Sequence, residues 1–166
     1  SNKQDCCGCS ACYSACPKNA IEMVEDKEGF LYPQIDIESC TGCGVCKKVC
    51  SFQNGYNANT LDSAFGLIHN DEKVHSSSRS GGAFTLISDY VLRLGGSVYG
   101  AAFNEDFSVS HKRAINKNER DEFKGSKYVQ SELSNCFEQV KKDLVNNMSV
   151  MFSGTACQVA GLYSFL

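Results

Sequence analysis

The sequence predicts an α+β chain in two parts: a small cysteine-fastened module over 1–53 and an α/β domain over 63–166, joined by a polar linker over 54–62. Three observations carry that prediction. Eight of the 11 cysteines form two copies of one spacing inside the first 50 residues. An asparagine-rich stretch, Gln53-Asn54-Gly55-Tyr56-Asn57-Ala58-Asn59-Thr60, then interrupts the pattern as linkers do. Beyond about Ser63, short apolar runs alternate with helical periodicity, the signature of strands alternating with helices.

The first cysteine copy is Cys6, Cys9, Cys12 and Cys16, followed by Pro17; the second is Cys40, Cys43, Cys46 and Cys50, followed by Ser51. Each position of the second lies 34 residues after its counterpart. This is the two-cluster ferredoxin run C-x2-C-x2-C-x3-C-P written twice, with serine in place of the second proline. Three thiolates two residues apart can curl around one face of a cubane, and the fourth points into the other cube. The first 4Fe–4S cluster is therefore expected on Cys6, Cys9, Cys12 and Cys50, and the second on Cys40, Cys43, Cys46 and Cys16. Gly8, Gly42 and Gly44 suit tight loops whose N–H groups approach sulfur.

Other uses of these cysteines fit less well. Structural zinc favours cysteine pairs in separated knuckles, not three in tandem with a fourth crossing over. A disulfide framework belongs to secreted chains, and no signal peptide leads this one. Cys7 breaks no spacing and reads as a buried bystander, with substitution for a damaged ligand as the alternative.

Composition bounds the rest. The chain has 166 residues, no tryptophan, two prolines and a net charge of −3, so nothing advertises a nucleic-acid partner. The length allows one small module plus one domain with a core of its own. Ser1-Asn2 in place of a methionine reads as a processed start. The charge-free run Val150 to Leu166 is interrupted by Ser153, Gly154, Thr155, Gln158 and Gly161, which suits a strand, turn and helix rather than a membrane span. Reduced thiols and oxygen-sensitive clusters point to the cytoplasm of an anaerobe.

In chain order, Ala20 to Val24 and Phe30 to Tyr32 read as short strands around an acidic turn at Glu25 to Gly29. The clusters, not this small core, would fasten the module. Ala64 to Ile68 reads as a strand. Ser80-Gly81-Gly82 opens a helix with Phe84, Ile87, Val91 and Leu94 on one face, ended by Gly95-Gly96. Strands follow at Val98 to Phe103 and Ser108 to Ile115, with a short helix at Asn118 to Phe123. Asn135 and Glu138 form a capping pair for a helix carrying Phe137, Val140 and Leu144. Val150 to Phe152 is a buried strand, and a last helix begins after Gly154.

Three small-residue turns recur in this second part: Ser80-Gly81-Gly82, Gly125-Ser126-Lys127-Tyr128 and Gly154-Thr155-Ala156-Cys157-Gln158. Two precede helices, whose free N–H groups can receive phosphate. Lys112, Arg113, Lys117, Arg120, Lys124 and Lys127 fall between them, a balance that suits a phosphate-tailed cofactor, although such turns and basic stretches are commonly just turns and solvated faces. No G-x-G-x-x-G fingerprint follows a strand.

The ordered set of two cysteine loops, Ser80-Gly81-Gly82, Gly125 to Ser131 and Phe152 to Leu162 closely resembles the coenzyme F-420 hydrogenase/dehydrogenase beta-subunit family over nearly the whole chain. That resemblance implies an iron–sulfur flavoprotein with FAD on a flavin-type α/β domain, exchanging electrons with the clusters and with a deazaflavin or other acceptor. It implies cofactor contacts at Ser80, Gly81, Gly82, Gly125, Ser126, Lys127, Tyr128, Gly154, Thr155 and Gln158. Ala156 stands where the family often has proline. The family's flavin domain continues beyond the position of Leu166, so the domain is expected to be incomplete here.

Cys157, near the start of the last helix, has two readings: a thiol beside the flavin or an added cluster ligand, or a small apolar residue packing helix on sheet. Cys136, His69, His75 and His111 read as core or surface residues. The expected function is electron transfer between 4Fe–4S clusters and a flavin-type acceptor, with redox proteins, a small redox cofactor or a larger redox complex as partners. The alternative is a ferredoxin-like carrier or electron-transfer component without catalysis.

Overall fold

The computed structural model describes residues 3–55 and 63–166. From residue 56 onward the expected linker lies outside the described residues; Asn54 still belongs to a helix.

The repeat of 34 residues in the sequence is a repeat in the backbone. Helix α1 (Ala11–Ser14) and helix α2 (Val45–Lys48) occupy matching positions of the two cysteine copies. Each begins at a left-handed residue, Ser10 at φ 60° and Gly44 at φ 76°. Two residues earlier in each copy, Gly8 and Gly42 are left-handed too. Such backbone reverses direction within a few residues and folds each loop around its cysteines. Between the helices, strands β1 (Ile21–Glu25) and β2 (Leu31–Ile35) form an antiparallel hairpin with Ile21 opposite Ile35. Helix α3 (Ser51–Asn54) follows Cys50 directly.

The second part is organised on a three-stranded mixed sheet. Strand β3 (Ser97–Phe103) is central, antiparallel to β4 (Val109–Ala114) and parallel to β5 (Val150–Phe152). Residue alternation sends Val98 and Ala102 to one face, where they pack with Val91, Ala114 and Phe123. Tyr99 faces the other way, into a core with Leu133, Cys136, Phe137, Val140 and Leu162. Helices α4 (Glu72–Ser77), α5 (Ala83–Arg93) and α6 (Lys117–Asp121) precede or flank the first face. Helices α7 (Cys136–Val145) and α8 (Ala156–Phe165) cover the second. Ala11 of α1 is buried in that second core, so the cysteine module shares it.

Three expectations are corrected. Ala64 to Ile68 forms no strand. Both edges of β3 are already taken, and the segment instead crosses the Ser80–Gly82 turn, with the His69 N–H donating to the Gly81 carbonyl at 2.7 Å. On α5 the inner face is Thr85, Ser88 and Val91, while Ile87 and Leu94 are exposed. The cause is Arg120, fully buried beneath that face, whose guanidinium donates to the Thr85 carbonyl at 3.2 Å and to the Ser88 hydroxyl, and pairs with Asp89 at 2.7 Å. A buried charge needs such oxygens, and apolar periodicity cannot reveal them. Lastly, Asn135 stands at the N-cap of α7 as expected, but its side chain makes no capping bond. Its side-chain oxygen accepts from Gln139 at 2.8 Å instead. Among the described residues no helix is long and apolar enough to cross a membrane.

Candidate functional site

The first cysteine loop is folded against its own backbone. The Gly8 N–H approaches the Cys6 sulfur at 3.5 Å, and the Ala20 N–H approaches the Cys16 sulfur at 3.3 Å. Burial pushes the Cys12 thiol up to about 11, and the nearby Cys6 and Cys50 sulfurs add to that. Cys9 is raised by burial as well and interacts with Cys12. Cys6, Cys9 and Cys12 of the first copy thus share an electrostatic neighbourhood with Cys50 of the second. The buried Cys9 and Cys12 thiols, both raised, suit a cationic iron core that would supply the missing charge. Among the described residues no three cysteine, histidine, aspartate or glutamate side chains converge on a single metal-ion position; the chemistry and spacing of the thiols are those of cubane ligands. In the second loop Cys40 and Cys43 are exposed, and open space surrounds Gly42 and Gly44.

All three small-residue turns open onto one cleft of about 1110 Å³. Ser80, Gly81, Gly82, Gly125, Ser126, Lys127, Tyr128, Gly154, Thr155, Cys157 and Gln158 all line it. So do Cys7 and Gly8, which bring the first cysteine loop to the same wall. Gly81 is required there by contact: a β-carbon on it would lie 1.9 Å from the Leu67 carbonyl oxygen. Gly82, at φ +85°, starts α5 so that its N-terminus faces the cleft. The Tyr128 ring stands almost fully exposed on the rim.

The basic stretch is less available to a phosphate than its composition suggested. Lys112 pairs with Glu122, Arg113 with Asp143, Lys117 with Asp89, Arg120 with Asp89 and Asp121, and Lys124 with Asp121. The Lys127 ammonium donates to the carbonyls of Glu122 at 2.8 Å and Lys124 at 3.1 Å, holding the end of α6. Arg79, exposed at the cleft wall, has no ion pair among the described residues.

Gln158 is buried and works within the protein. With Thr155 it forms a capping box at the start of α8, its Oε1 accepting from the Thr155 N–H at 2.9 Å. The Cys157 sulfur lies 3.1 Å from the Thr155 hydroxyl and interacts with Cys7 and Cys9 across the junction of the two parts. Cys136 is buried in the sheet core.

Sequence reasoning missed three residues of this wall. Gln130 accepts from the Leu31 N–H at 2.7 Å and ties the second turn to the hairpin. Ser131 and His111 hydrogen-bond at 3.0 Å, and the His111 ring stacks on Phe152 at 5.1 Å. The signal for Gln130 and Ser131 was adjacency to the Gly125–Tyr128 turn; a lone histidine in a strand carries none.

Comparison with known proteins accounts for the first part of the chain. Residues 5–54 match the 4Fe–4S dicluster domain family. An uncharacterized ferredoxin of Methanocaldococcus jannaschii is 35% identical over 49 residues, covering 30% of this chain and 62% of that protein. The ketoisovalerate oxidoreductase subunit VorC of Methanothermobacter marburgensis is 33% identical over 51 residues, 30% of this chain and 65% of that one. A component of the ion-translocating oxidoreductase complex of Methanosarcina acetivorans is 44% identical over 45 residues, 27% of this chain and 15% of the relative. The chain thus spans less than two thirds of each of these relatives. Residues 5–54 are thus a 4Fe–4S dicluster ferredoxin module.

Proposed function

We propose that this chain passes electrons between two 4Fe–4S clusters and a flavin seated in the cleft, as the resemblance to the coenzyme F-420 hydrogenase/dehydrogenase beta-subunit family implies. One observation carries the reading: the cleft that gathers all three small-residue turns is also lined by Cys7 and Gly8, beside cluster ligands Cys6 and Cys9. The first cluster belongs to Cys6, Cys9, Cys12 and Cys50, and the second to Cys40, Cys43, Cys46 and Cys16. The exposure of Cys40 and Cys43 makes the second cluster the one that meets a redox protein or a larger redox complex.

A bound flavin would supply the step between one-electron and two-electron chemistry. The protein's own residues do the rest. Gly81 and Gly82 let the backbone approach closely, and the α5 N-terminus with Arg79 favours a phosphate. Tyr128 at the rim can cover an aromatic ring. The many free thiols favour a reducing compartment such as the cytoplasm.

The test is anaerobic reconstitution with iron, sulfide and FAD, followed by gel filtration, metal analysis and the spectrum of the released chromophore. About eight irons per chain and retained FAD are expected. Iron without retained FAD leaves a ferredoxin-like carrier and ends the flavin reading; zinc in place of iron ends the cluster reading.

A further inference from the structure

We infer that His111 is a positioning residue of the cleft, holding the second and third turns at a fixed separation through one tautomer of its ring; this rests on the proposal that the cleft takes a flavin. His111 lies on β4, lines the cleft and hydrogen-bonds to the residues flanking both turns, Ser131 after the second and Ser153 before the third. Its Nε2 lies 3.1 Å from the Ser153 carbonyl and its Nδ1 lies 3.0 Å from the Ser131 hydroxyl.

The directions of these bonds follow from a single fact. A carbonyl oxygen can only accept, so Nε2 carries the hydrogen. In the neutral ring Nδ1 is then bare and accepts from the Ser131 hydroxyl. With its proton committed to His111, the Ser131 oxygen accepts from the Gln158 amide nitrogen at 2.9 Å. The Gln158 Oε1 is thereby left to accept from the Thr155 N–H. Every donor in the series has one partner. Stacking on Phe152, itself edge-on to Phe137 at 6.0 Å, fixes the plane of the ring from the core side.

The series joins three elements that the chain separates widely: β4, the segment after the Gly125–Tyr128 turn, and the Ser153–Gln158 turn that starts α8. Packing alone does not demand this. A leucine at 111 could fill the space against Phe152 and make none of the bonds. A glutamine could place its amide nitrogen near the position of Nε2 and still donate to the Ser153 carbonyl.

The experiment compares iron-loaded wild type, His111→Leu, His111→Gln and Ser131→Ala by hydrogen-exchange mass spectrometry over 152–158 and by titration with FAD. Exchange in that segment and the FAD Kd should each rise about tenfold in His111→Leu, the scale of one lost hydrogen bond. His111→Gln should recover most of both, and Ser131→Ala should move both in the same direction as leucine. Unchanged exchange in His111→Leu overturns the assignment, as does a glutamine variant no better than leucine. Should His111→Leu fail to fold, Ser131→Ala alone decides: unchanged exchange there overturns the assignment. If wild type binds no FAD, the flavin reading falls, while the exchange measurements still decide the role of His111.

Discussion

Gly161 of α8 stands directly on Cys9: a β-carbon at 161 would lie 3.0 Å from the Cys9 sulfur and 3.2 Å from its β-carbon. The last helix of the sheet domain is thereby the wall of the first cysteine loop. Replacing a helix-interior glycine by alanine ordinarily gains about 1 kcal/mol. Gly161→Ala is expected to show no such gain and to loosen the proposed first cluster, because the added carbon crowds the Cys9 sulfur. Iron retention after gel filtration checks this, and full retention with a raised Tm would contradict it.

The two cysteine sets separate by substitution. Cys12 senses both Cys6 and Cys50, so Cys50→Ser should damage the first cluster although it lies in the second copy. Cys43→Ser, at an exposed position, should damage the second. Each variant is expected to retain about four irons instead of about eight. Electron paramagnetic resonance of the reduced proteins should give two different single-cluster signals; identical signals would refute the crossed assignment.

Asp143 of α7 is buried and accepts from Ser97 at 2.6 Å, Tyr99 at 2.7 Å and Arg113 at 2.7 Å. Burial opposes its charge, yet the bonds from Arg113, Ser97 and Tyr99 prevail and hold the carboxyl down at about 2. Asp143→Ala leaves an arginine and two hydroxyls without their acceptor, and a loss of about 3–5 kcal/mol is expected by denaturant unfolding. Asp143→Asn keeps some of the bonds and should lose less.

Burial also pushes the His111 imidazole below its ordinary value, opposed by the Ser153 carbonyl. The unfolded chain therefore binds this proton more readily than the folded one. The stability it governs is complete above about pH 6.5 and declines as the pH falls below that. Unfolding midpoints taken on either side of this value should show the decline in wild type and a shallower one in His111→Gln. A wild-type protein that gained stability on mild acidification would reverse the sign.

Legibility in the sequence followed the kind of interaction involved. The cysteine spacing exposed the repeat because ligand reach is local, and the structure repeats the left-handed starts of α1 and α2 at the same interval. Strands β3, β4 and β5 were visible through apolar runs. The inner face of α5 was not, because its partner is Arg120, a charge 32 residues from Ser88 that recruits polar groups. The three turns were readable as small-residue clusters. Their convergence, and the arrival of Cys7 and His111 at the same wall, depend on how β4 and α8 pack, which no short window records.

The sharpest separation of the cleft from the clusters comes from Gly81 and Gly125. A β-carbon at 81 would meet the Leu67 carbonyl oxygen at 1.9 Å, a backbone atom that no rotamer change can move. At 125 the backbone is left-handed at φ +79°, but open space surrounds the position. Gly125→Ala therefore costs about 1–2 kcal/mol of backbone strain and leaves the neighbouring segment in place. Gly81→Ala must push the 65–69 segment off the turn, an overpacking cost of about 1–3 kcal/mol that falls on the cleft wall itself. Gly81→Ala should thus weaken FAD binding at least about tenfold more than Gly125→Ala at similar overall stability. Both variants should keep about eight irons, since the atoms nearest an added β-carbon at 81 belong to Leu67 and Ile68 and none lies within 4 Å at 125. Equal FAD affinities in the two variants would show that the first turn does not shape the binding wall.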